Sequence, residues 1–162
     1  RDFCLSRGLG DVYKRQVTAT PEAIQALKEA DLILFGPGSF LTSIMPPILL
    51  PEIIEQLRQS EAKKIFIDNL GIEHSPASSL SLADRIHWIN ETVGQPIIDG
   101  AIVPFNAVQN SHPMEIKILA GRLNADDISY RHDRALLCSA IDELLGELLE
   151  SPEEEHSEPT SL

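Results

Sequence analysis

The chain has 162 residues, of which 43% are hydrophobic and 5% aromatic, so we expect one globular domain with an aliphatic core. Its formal charge of −12 argues against non-specific nucleic-acid binding, which depends on Lys and Arg. No apolar run approaches the ~20 residues of a membrane helix, and the start lacks a secretory signal pattern. Cys4 and Cys138 form no redox or metal motif. We therefore expect a cytoplasmic protein without membrane insertion.

The two ends differ in composition from the rest of the chain. Residues 1–16, "RDFCLSRGLGDVYKRQ", carry four basic residues and no helical or strand periodicity. We interpret them as a non-native leader, with a genuine loop as the alternative, and expect the natural chain to begin upstream of residue 17. Residues 151–162, "SPEEEHSEPTSL", predict a disordered acidic tail, for which partner binding is the alternative. Residues 17–150 then form one α/β domain.

The first half of this domain alternates helix and strand signals. Thr20 is a good N-cap and Pro21 suits the first helical position, so a helix is predicted to run to about residue 30. The run "LILF" after Asp31 is typical of a strand buried on both faces. A second helix is predicted from Pro51, and "KKIFID" (Lys63–Asp68) is the next buried strand.

The second half continues the alternation. Ser81–Asp84 form a capping box that opens a helix ending before Gly94. "PIIDGAIVP" (Pro96–Pro104) predicts a third strand, and "MEIKILA" (Met114–Ala120) a fourth with period-two alternation. A last helix with a wide apolar stripe begins at Asp133. This order predicts an α/β fold with a mostly parallel sheet and helices on both faces.

The first candidate site is the corner "GPGS" after the first strand, because open α/β sheets bind ligands at the carboxyl ends of their strands. A type II turn with positive φ at Gly38 is predicted there, followed by a short helix that ends near Pro46. Outward amides and hydroxyls would then form a cradle for a phosphate or diphosphate. The alternative is a tight turn with N-capping hydroxyls. The predicted cradle consists of Gly36, Pro37, Gly38, Ser39, Thr42 and Ser43.

Later loops offer further candidates. Asn69 stands at a strand end, where its amide could read a base edge or a ribose hydroxyl. His74 could be a general base, or simply a solvated loop residue. Arg131 and His132 could contact an anionic ligand, although Arg131 could equally pair with surface acids. Asp133 is predicted to be the N-cap of the last helix.

No metal-binding spacing stands out among the histidines, cysteines and acids. Asp68 and Asp84 could bind Mg²⁺ together with substrate phosphates, yet neither has a neighbouring acid. The sequence shows no Ser-His-Asp order that would indicate a hydrolase. The one cofactor hypothesis that we keep is therefore Mg²⁺ bound together with a nucleotide diphosphate.

Four segments together resemble the C-terminal half of the putative gluconeogenesis factor family, which is CofD-like and similar to 2-phospho-L-lactate transferase. The resemblance covers residues 18–149, and its most specific part is "ADLILFGPGSFLTSIMP". The four segments are "EADLILFGPGSFLTSIMPPILLPEI", "IDNLGIEHSPASSLSLADRI", "IDGAIVP" and "YRHDRALLCSAI".

The resemblance implies a Rossmann-like fold with a nucleotide pocket at the strand ends. Transferase members use a GDP-linked phospholactate and Mg²⁺ to modify a deazaflavin, whereas gluconeogenesis-factor members bind UDP-sugars and act in carbon metabolism and the regulation of cell envelope and shape. By motif match the implied pocket residues are Gly36, Pro37, Gly38, Ser39, Thr42, Ser43 and Asn69.

Two family elements are not found in this sequence: a Gly-rich opening loop and an Asp-Asn-Gly-Gly-type segment. We therefore expect an incomplete sheet, without the N-terminal strands, and one wall of a pocket. A regulatory protein that binds a nucleotide or nucleotide-sugar is the favoured hypothesis, and a homo-oligomer is left open. The alternatives are a transferase that acts on a nucleotide-linked donor, and an inactive structural fragment.

Overall fold

The computed structural model describes residues 17–71, 76–105, 107 and 115–150. The expected leader, the acidic tail, His74 and Met114 lie outside these residues. The described elements alternate as the sequence predicts, apart from extra helical turns after the first strand. They are α1 (Pro21–Glu29), β1 (Leu32–Phe35), a π-helical turn (Phe40–Ile44), α2 (Met45–Ile48), α3 (Pro51–Gln59), β2 (Lys63–Ile67), a 3₁₀ turn (Pro76–Ser79), α4 (Leu82–Val93), β3 (Gly100–Pro104), β4 (Lys117–Gly121) and α5 (Arg134–Glu150).

The four strands form one sheet in the order β1-β2-β3-β4, and every neighbouring pair is parallel. Because each strand follows the last in the same direction, right-handed connections place α3 and α4 on one face. The last helix, α5, packs against β3 and β4 from the other face. The predicted α/β fold, with a parallel sheet and helices on both faces, is confirmed.

Alternate residues of the central strands point into two separate cores. Phe66 and Val103 face α2, α3 and α4, in the same cluster as Phe40 from the π-helical turn. Ile65 and Ile102 face α5, where Leu144 is fully buried. Strands buried on both faces need apolar residues at nearly every position, which explains the continuous runs in the sequence.

The helix starts agree with the capping signals. Ala23 N donates to the side chain of Thr20 at 3.2 Å, so Thr20 is the N-cap of α1. Ser81 and Asp84 form the predicted capping box of α4, with Asp84 N donating to Ser81 Oγ at 3.1 Å. Each of these local sequence rules holds because it satisfies amide groups that a helix cannot satisfy internally.

Three predicted boundaries are wrong by more than one residue. The fourth strand begins at Lys117 rather than at residue 114, since the described Glu115 and Ile116 form a bend before it. The third strand begins at Gly100 rather than at residue 96, since the Ile97 amide donates instead to the Asn90 side chain at the end of α4, at 3.0 Å. The helical segment after the corner continues through Pro46 to Ile48, rather than ending near Pro46. Prolines occupy the first turn of α2, where an amide hydrogen is not needed within the helix.

The corner after β1 also differs from the predicted type II turn. Positive φ lies at Gly36, at 97°, not at Gly38, and the Gly36–Pro37 peptide is cis. A Cβ atom on Gly36 would stand 2.7 Å from the Ile67 carbonyl oxygen. Glycine is therefore required because the backbone of β2 passes directly beside the corner.

In the described part of the chain, β1 pairs only with β2 and forms an edge of the sheet. Leu34 shares a face with Ile65, which α5 covers, but Leu34 itself is 42% exposed. The edge strand stands beside the corner that positions the candidate site.

Helices of the described residues are either too short or too polar to cross a bilayer.

Substituting Gly36→Ala should destabilise the protein by about 2–3 kcal/mol, because the added methyl meets strained backbone and a neighbouring carbonyl oxygen. The matched control is Gly146→Ala in α5, where a Cβ has open space and should stabilise the helix by about 1 kcal/mol. Urea unfolding of both variants measures the difference. Equal stability of the two variants would contradict the close approach to β2.

Candidate functional site

The end of β2 is joined to the glycine corner by the side chain of Asn69. Gly38 N donates to Asn69 Oδ1 at 3.0 Å, and Asn69 Nδ2 donates back to Gly38 O at 2.9 Å. Both polar atoms of the amide are thus used in fixing the corner. In the structure Asn69 positions the corner backbone. The sequence had suggested a different role for its amide, contact with a base or a ribose.

A cavity of about 500 Å³ opens at this carboxyl edge of the sheet. That volume lies within the range of small-ligand sites. Five residues selected from the sequence meet around it, from three separate stretches of the chain: Pro37, Gly38, Asn69, Arg131 and His132. The described residues that line it are Pro37, Gly38, Asn69, Leu70, Gly71, Tyr130, Arg131 and His132.

The other members of the predicted cradle lie next to this cavity without lining it. Gly36 immediately precedes Pro37 and Gly38, which line the cavity, and it lies against β2. Thr42 and Ser43 are exposed on the π-helical turn. Ser39 is half-buried and makes no side-chain capping bond to that turn, while its carbonyl accepts from Ser43 N at 2.9 Å. The hydroxyl groups of Ser39, Thr42 and Ser43 therefore do not line the cavity, and their contact with a ligand stays a prediction.

The third wall comes from the segment between β4 and α5. Its backbone folds back on itself, since Ala125 N donates to Arg131 O and Asp133 N donates to Leu123 O, each at 2.8 Å. Asp133 then accepts from Leu136 N at 2.9 Å, which confirms it as the N-cap of α5. These bonds hold residues 130–132 at the cavity.

Tyr130 is a cavity residue that sequence reasoning missed. Its side chain is 73% exposed, and a Cβ on Gly71 would lie 3.3 Å from Tyr130 Cβ. An exposed aromatic ring beside a loop glycine offers a flat surface for a ligand ring. The available signal was its position next to Arg131 in "YRHDR".

Arg131 brings a positive charge to the cavity but already has an acidic partner. Its Nη2 donates to both carboxylate oxygens of Asp127, at 2.8 and 2.9 Å. Pairing with a surface acid was the alternative that the sequence left open for Arg131, and its contact with an anionic ligand stays a prediction. Because the two side chains are 57% and 65% exposed, the pair contributes only about 0–1 kcal/mol and can be exchanged for a ligand anion.

Asp68, the last residue before Asn69, is buried and ion-paired. Arg85 Nη1 of α4 donates to Asp68 Oδ1 at 2.6 Å, and its guanidinium lies 5.8 Å from the centre of the Phe66 ring. Asp68 is thus committed to Arg85 rather than presented as a Mg²⁺ ligand. Among the described residues no three potential metal ligands lie together.

A second cavity of about 230 Å³ adjoins the first and shares Asn69, Leu70 and Gly71 with it. Its lining includes the Asp68–Arg85 pair. A larger cavity, about 670 Å³, lies elsewhere, between residues 27–31 and 56–62 at the ends of α1 and α3. None of the predicted site residues lines it, so the carboxyl-edge cavity is the candidate site.

His132 is held neutral by its surroundings. Burial lowers its pKa below the ordinary value, while the backbone and carboxylate of Asp68 raise it to a smaller extent. Its Nε2 atom is buried and has no hydrogen-bond partner. At neutral pH the imidazole thus offers an uncharged ring with one unsatisfied nitrogen.

Substituting Asn69→Ala should lower the free energy of unfolding by about 2 kcal/mol, because both hydrogen bonds to Gly38 are lost. Asn124→Ala is the matched control, since its side chain donates only to the adjacent Ala125 carbonyl, and we expect about 0.5 kcal/mol. Urea unfolding followed by circular dichroism measures both. A smaller effect at Asn69 than at Asn124 would show that the corner does not depend on this amide.

Comparison with known proteins gives a consistent family assignment. Residues 10–144 match the family model described as 2-phospho-L-lactate transferase CofD. A protein of Pasteurella multocida named "Putative gluconeogenesis factor" is 68% identical over 132 residues, which is 82% of this chain and 43% of that protein. A Yersinia pestis protein of the same name is 46% identical over 133 residues, with the same two coverages.

The fold has a solved counterpart. A crystal structure of a UPF0052 family member from Bacillus halodurans superposes with a TM-score of 0.58 and 22% identity, over 76% of this chain and 46% of that one. This likeness concerns the fold alone. The chain spans less than half the length of these relatives. With the parallel α/β sheet and the family match together, the chain belongs to the CofD family, in common with the gluconeogenesis factors.

Proposed function

We propose that the carboxyl-edge cavity is part of a site for a nucleotide or nucleotide-sugar of the UDP-sugar type, and that the protein is a cytoplasmic regulator of carbon metabolism and of the cell envelope and its shape. The observation that carries the proposal is the Asn69–Gly38 clamp. It fixes the glycine-containing corner at the same cavity as Arg131 and His132.

The chemistry of the walls suits such a ligand. Gly38 brings backbone to the cavity wall with its N–H and C=O both bonded to Asn69, and the Ser43 side chain stands beside it. Arg131 supplies a positive charge, and breaking its exposed ion pair with Asp127 costs little free energy. The exposed ring of Tyr130 suits stacking against a base or sugar. Ser39, Thr42 and Ser43 are proposed as hydroxyl donors next to the corner.

The relatives support the metabolic part of the proposal, since proteins 68% and 46% identical to this chain each carry the name "Putative gluconeogenesis factor". They also bear on the extent of the site, because this chain spans 43% of their length. We propose that the remaining part of such proteins supplies the opposite wall. Any Mg²⁺ would then enter with the diphosphate of the ligand.

Isothermal titration of this chain and of the Pasteurella relative with UDP-glucose, UDP-N-acetylglucosamine and UDP tests binding. We expect saturable binding, and Arg131→Gln should weaken it by about tenfold, since a charge-assisted contact to phosphate is lost. Arg122→Gln is the matched control, because Arg122 is also exposed and paired with an aspartate, Asp126, but lies outside this cavity.

Two results would count against the proposal. One is the lack of binding by both proteins. The other is binding that Arg131→Gln and Arg122→Gln weaken equally, because a common effect of lost surface charge would not locate the ligand in the cavity.

Catalysis is the second candidate function, and the family model favours it because its description is that of a transferase. In that case the protein would move a group from a GDP- or UDP-linked donor in the presence of Mg²⁺. Mass spectrometry of reactions with a panel of donors and hydroxyl acceptors should then reveal a transferred group and a released nucleotide. Intact donors throughout, with binding preserved, would favour the regulatory function.

A further inference from the structure

A further cavity of about 490 Å³ opens between the ends of β3 and β4, and we call it the β3–β4 cavity. Its volume lies within the range of small-ligand sites. None of the site residues predicted from the sequence lines it, so the proposed function leaves this cavity without a role. Its lining includes Leu70, Pro104, Phe105, Gly121, Asn124 and Ser129.

The β3–β4 cavity adjoins the carboxyl-edge cavity at three places. Leu70 lines both cavities. Ser129 lines the β3–β4 cavity, and the next residue, Tyr130, lines the carboxyl-edge cavity. Asn124 of the first forms an antiparallel bridge with His132 of the second. One ligand with two chemically different parts can therefore occupy both cavities.

The β3–β4 cavity has an apolar surface that suits a flat ring. Phe105 is 65% exposed, and Leu70 and Pro104 line the same cavity. Pro104 pairs with Gly121 across the two strands. Apart from chain neighbours, the only described residue within 4 Å of a Cβ built on Gly121 is Leu123, at 3.9 Å, so the space there is open. An exposed aromatic side chain gains contact and loses hydration when a flat ring stacks on it.

Polar groups of the β3–β4 cavity can pair with the edge of such a ring. Asn124 Nδ2 donates to the Ala125 carbonyl at 3.1 Å, and no described group donates to Asn124 Oδ1. Ser129 is exposed. An amide oxygen can accept from a ring N–H, and a hydroxyl can donate to a ring carbonyl. A stacking surface beside such groups is the chemistry that recognises a nucleobase, whereas a sugar carries hydroxyl groups around its whole ring.

We propose that the β3–β4 cavity binds the base of the nucleotide-sugar, stacked on Phe105, while the diphosphate lies at Arg131 in the carboxyl-edge cavity. This inference rests on the proposed nucleotide-sugar site and adds a base-binding part to it. Tyr130 is then left to the sugar at the other end of the diphosphate.

Arg122 also lines the β3–β4 cavity, where it is paired with Asp126. An uncharged base makes no ion pair with Arg122. The Arg122→Gln variant should therefore still weaken binding less than Arg131→Gln does, and it keeps its value as a control.

Isothermal titration of this chain with UDP and UDP-N-acetylglucosamine tests the inference. Phe105→Ala should weaken both ligands by about fivefold or more, because the stacking contact with their common base is lost. Leu149→Ala is the matched control, since Leu149 is 66% exposed in α5 and lines neither cavity. It should leave both affinities unchanged.

Gly121→Val is a second variant that does not depend on Phe105. A Cβ at Gly121 makes only an ordinary contact with Leu123, so the strand should keep its fold, while the added methyl groups occupy part of the β3–β4 cavity. We expect the same direction of change for both ligands. Urea unfolding of each variant confirms that the fold is retained.

Proton NMR locates the base directly. We expect nuclear Overhauser contacts between the uracil protons of bound UDP and a phenylalanine ring, and their disappearance in Phe105→Leu. Absence of these contacts, or affinities for UDP that Phe105→Ala and Gly121→Val leave as high as Leu149→Ala does, would overturn the inference while the nucleotide-sugar site stands. Failure of the unsubstituted chain to bind either ligand would overturn the proposed function and this inference with it.

Discussion

Two hydrogen bonds between one side-chain amide and one backbone residue connect the principal parts of the site. Asn69 belongs to the end of β2, and Gly38 belongs to the corner that follows β1. Parallel strands place their carboxyl ends at one edge, but they do not by themselves fix the loops that follow. The clamp does so here. Gly36 makes it feasible, because only a residue without a Cβ lets the corner approach the Ile67 carbonyl so closely.

The sequence predicted the fold well where local chemistry decides it. The Thr20 cap, the Ser81–Asp84 capping box and the buried runs of β1 and β2 follow from satisfied amides and two-sided burial, so single stretches of sequence were sufficient. Errors arose where a distant group competed. The Asn90 side chain takes the Ile97 amide, and the positive φ of the corner lies at Gly36, where β2 passes close, rather than at Gly38.

The candidate site was predicted in its parts but not in its arrangement. The corner residues and Asn69 were selected because they follow strands at the carboxyl edge of the sheet. Arg131 and His132 were selected from their residue types. Five of these residues line one cavity. Two relationships were inaccessible because they join residues far apart in the sequence. One is the use of the Asn69 amide by Gly38, and the other is the pairing of Asp68 with Arg85, which removes Asp68 from the set of open metal ligands.

The charge of the chain limits how such a site would hold a diphosphate. With a formal charge of −12, the protein repels a diphosphate at long range, so close contacts must supply the attraction. Arg131 can supply one, because its exposed pair with Asp127 is weak. A second cation at His132 would have to be desolvated beside the occupied Asp68, which burial disfavours. Among the described lining residues of the cavity, the attraction for a diphosphate therefore falls to Arg131.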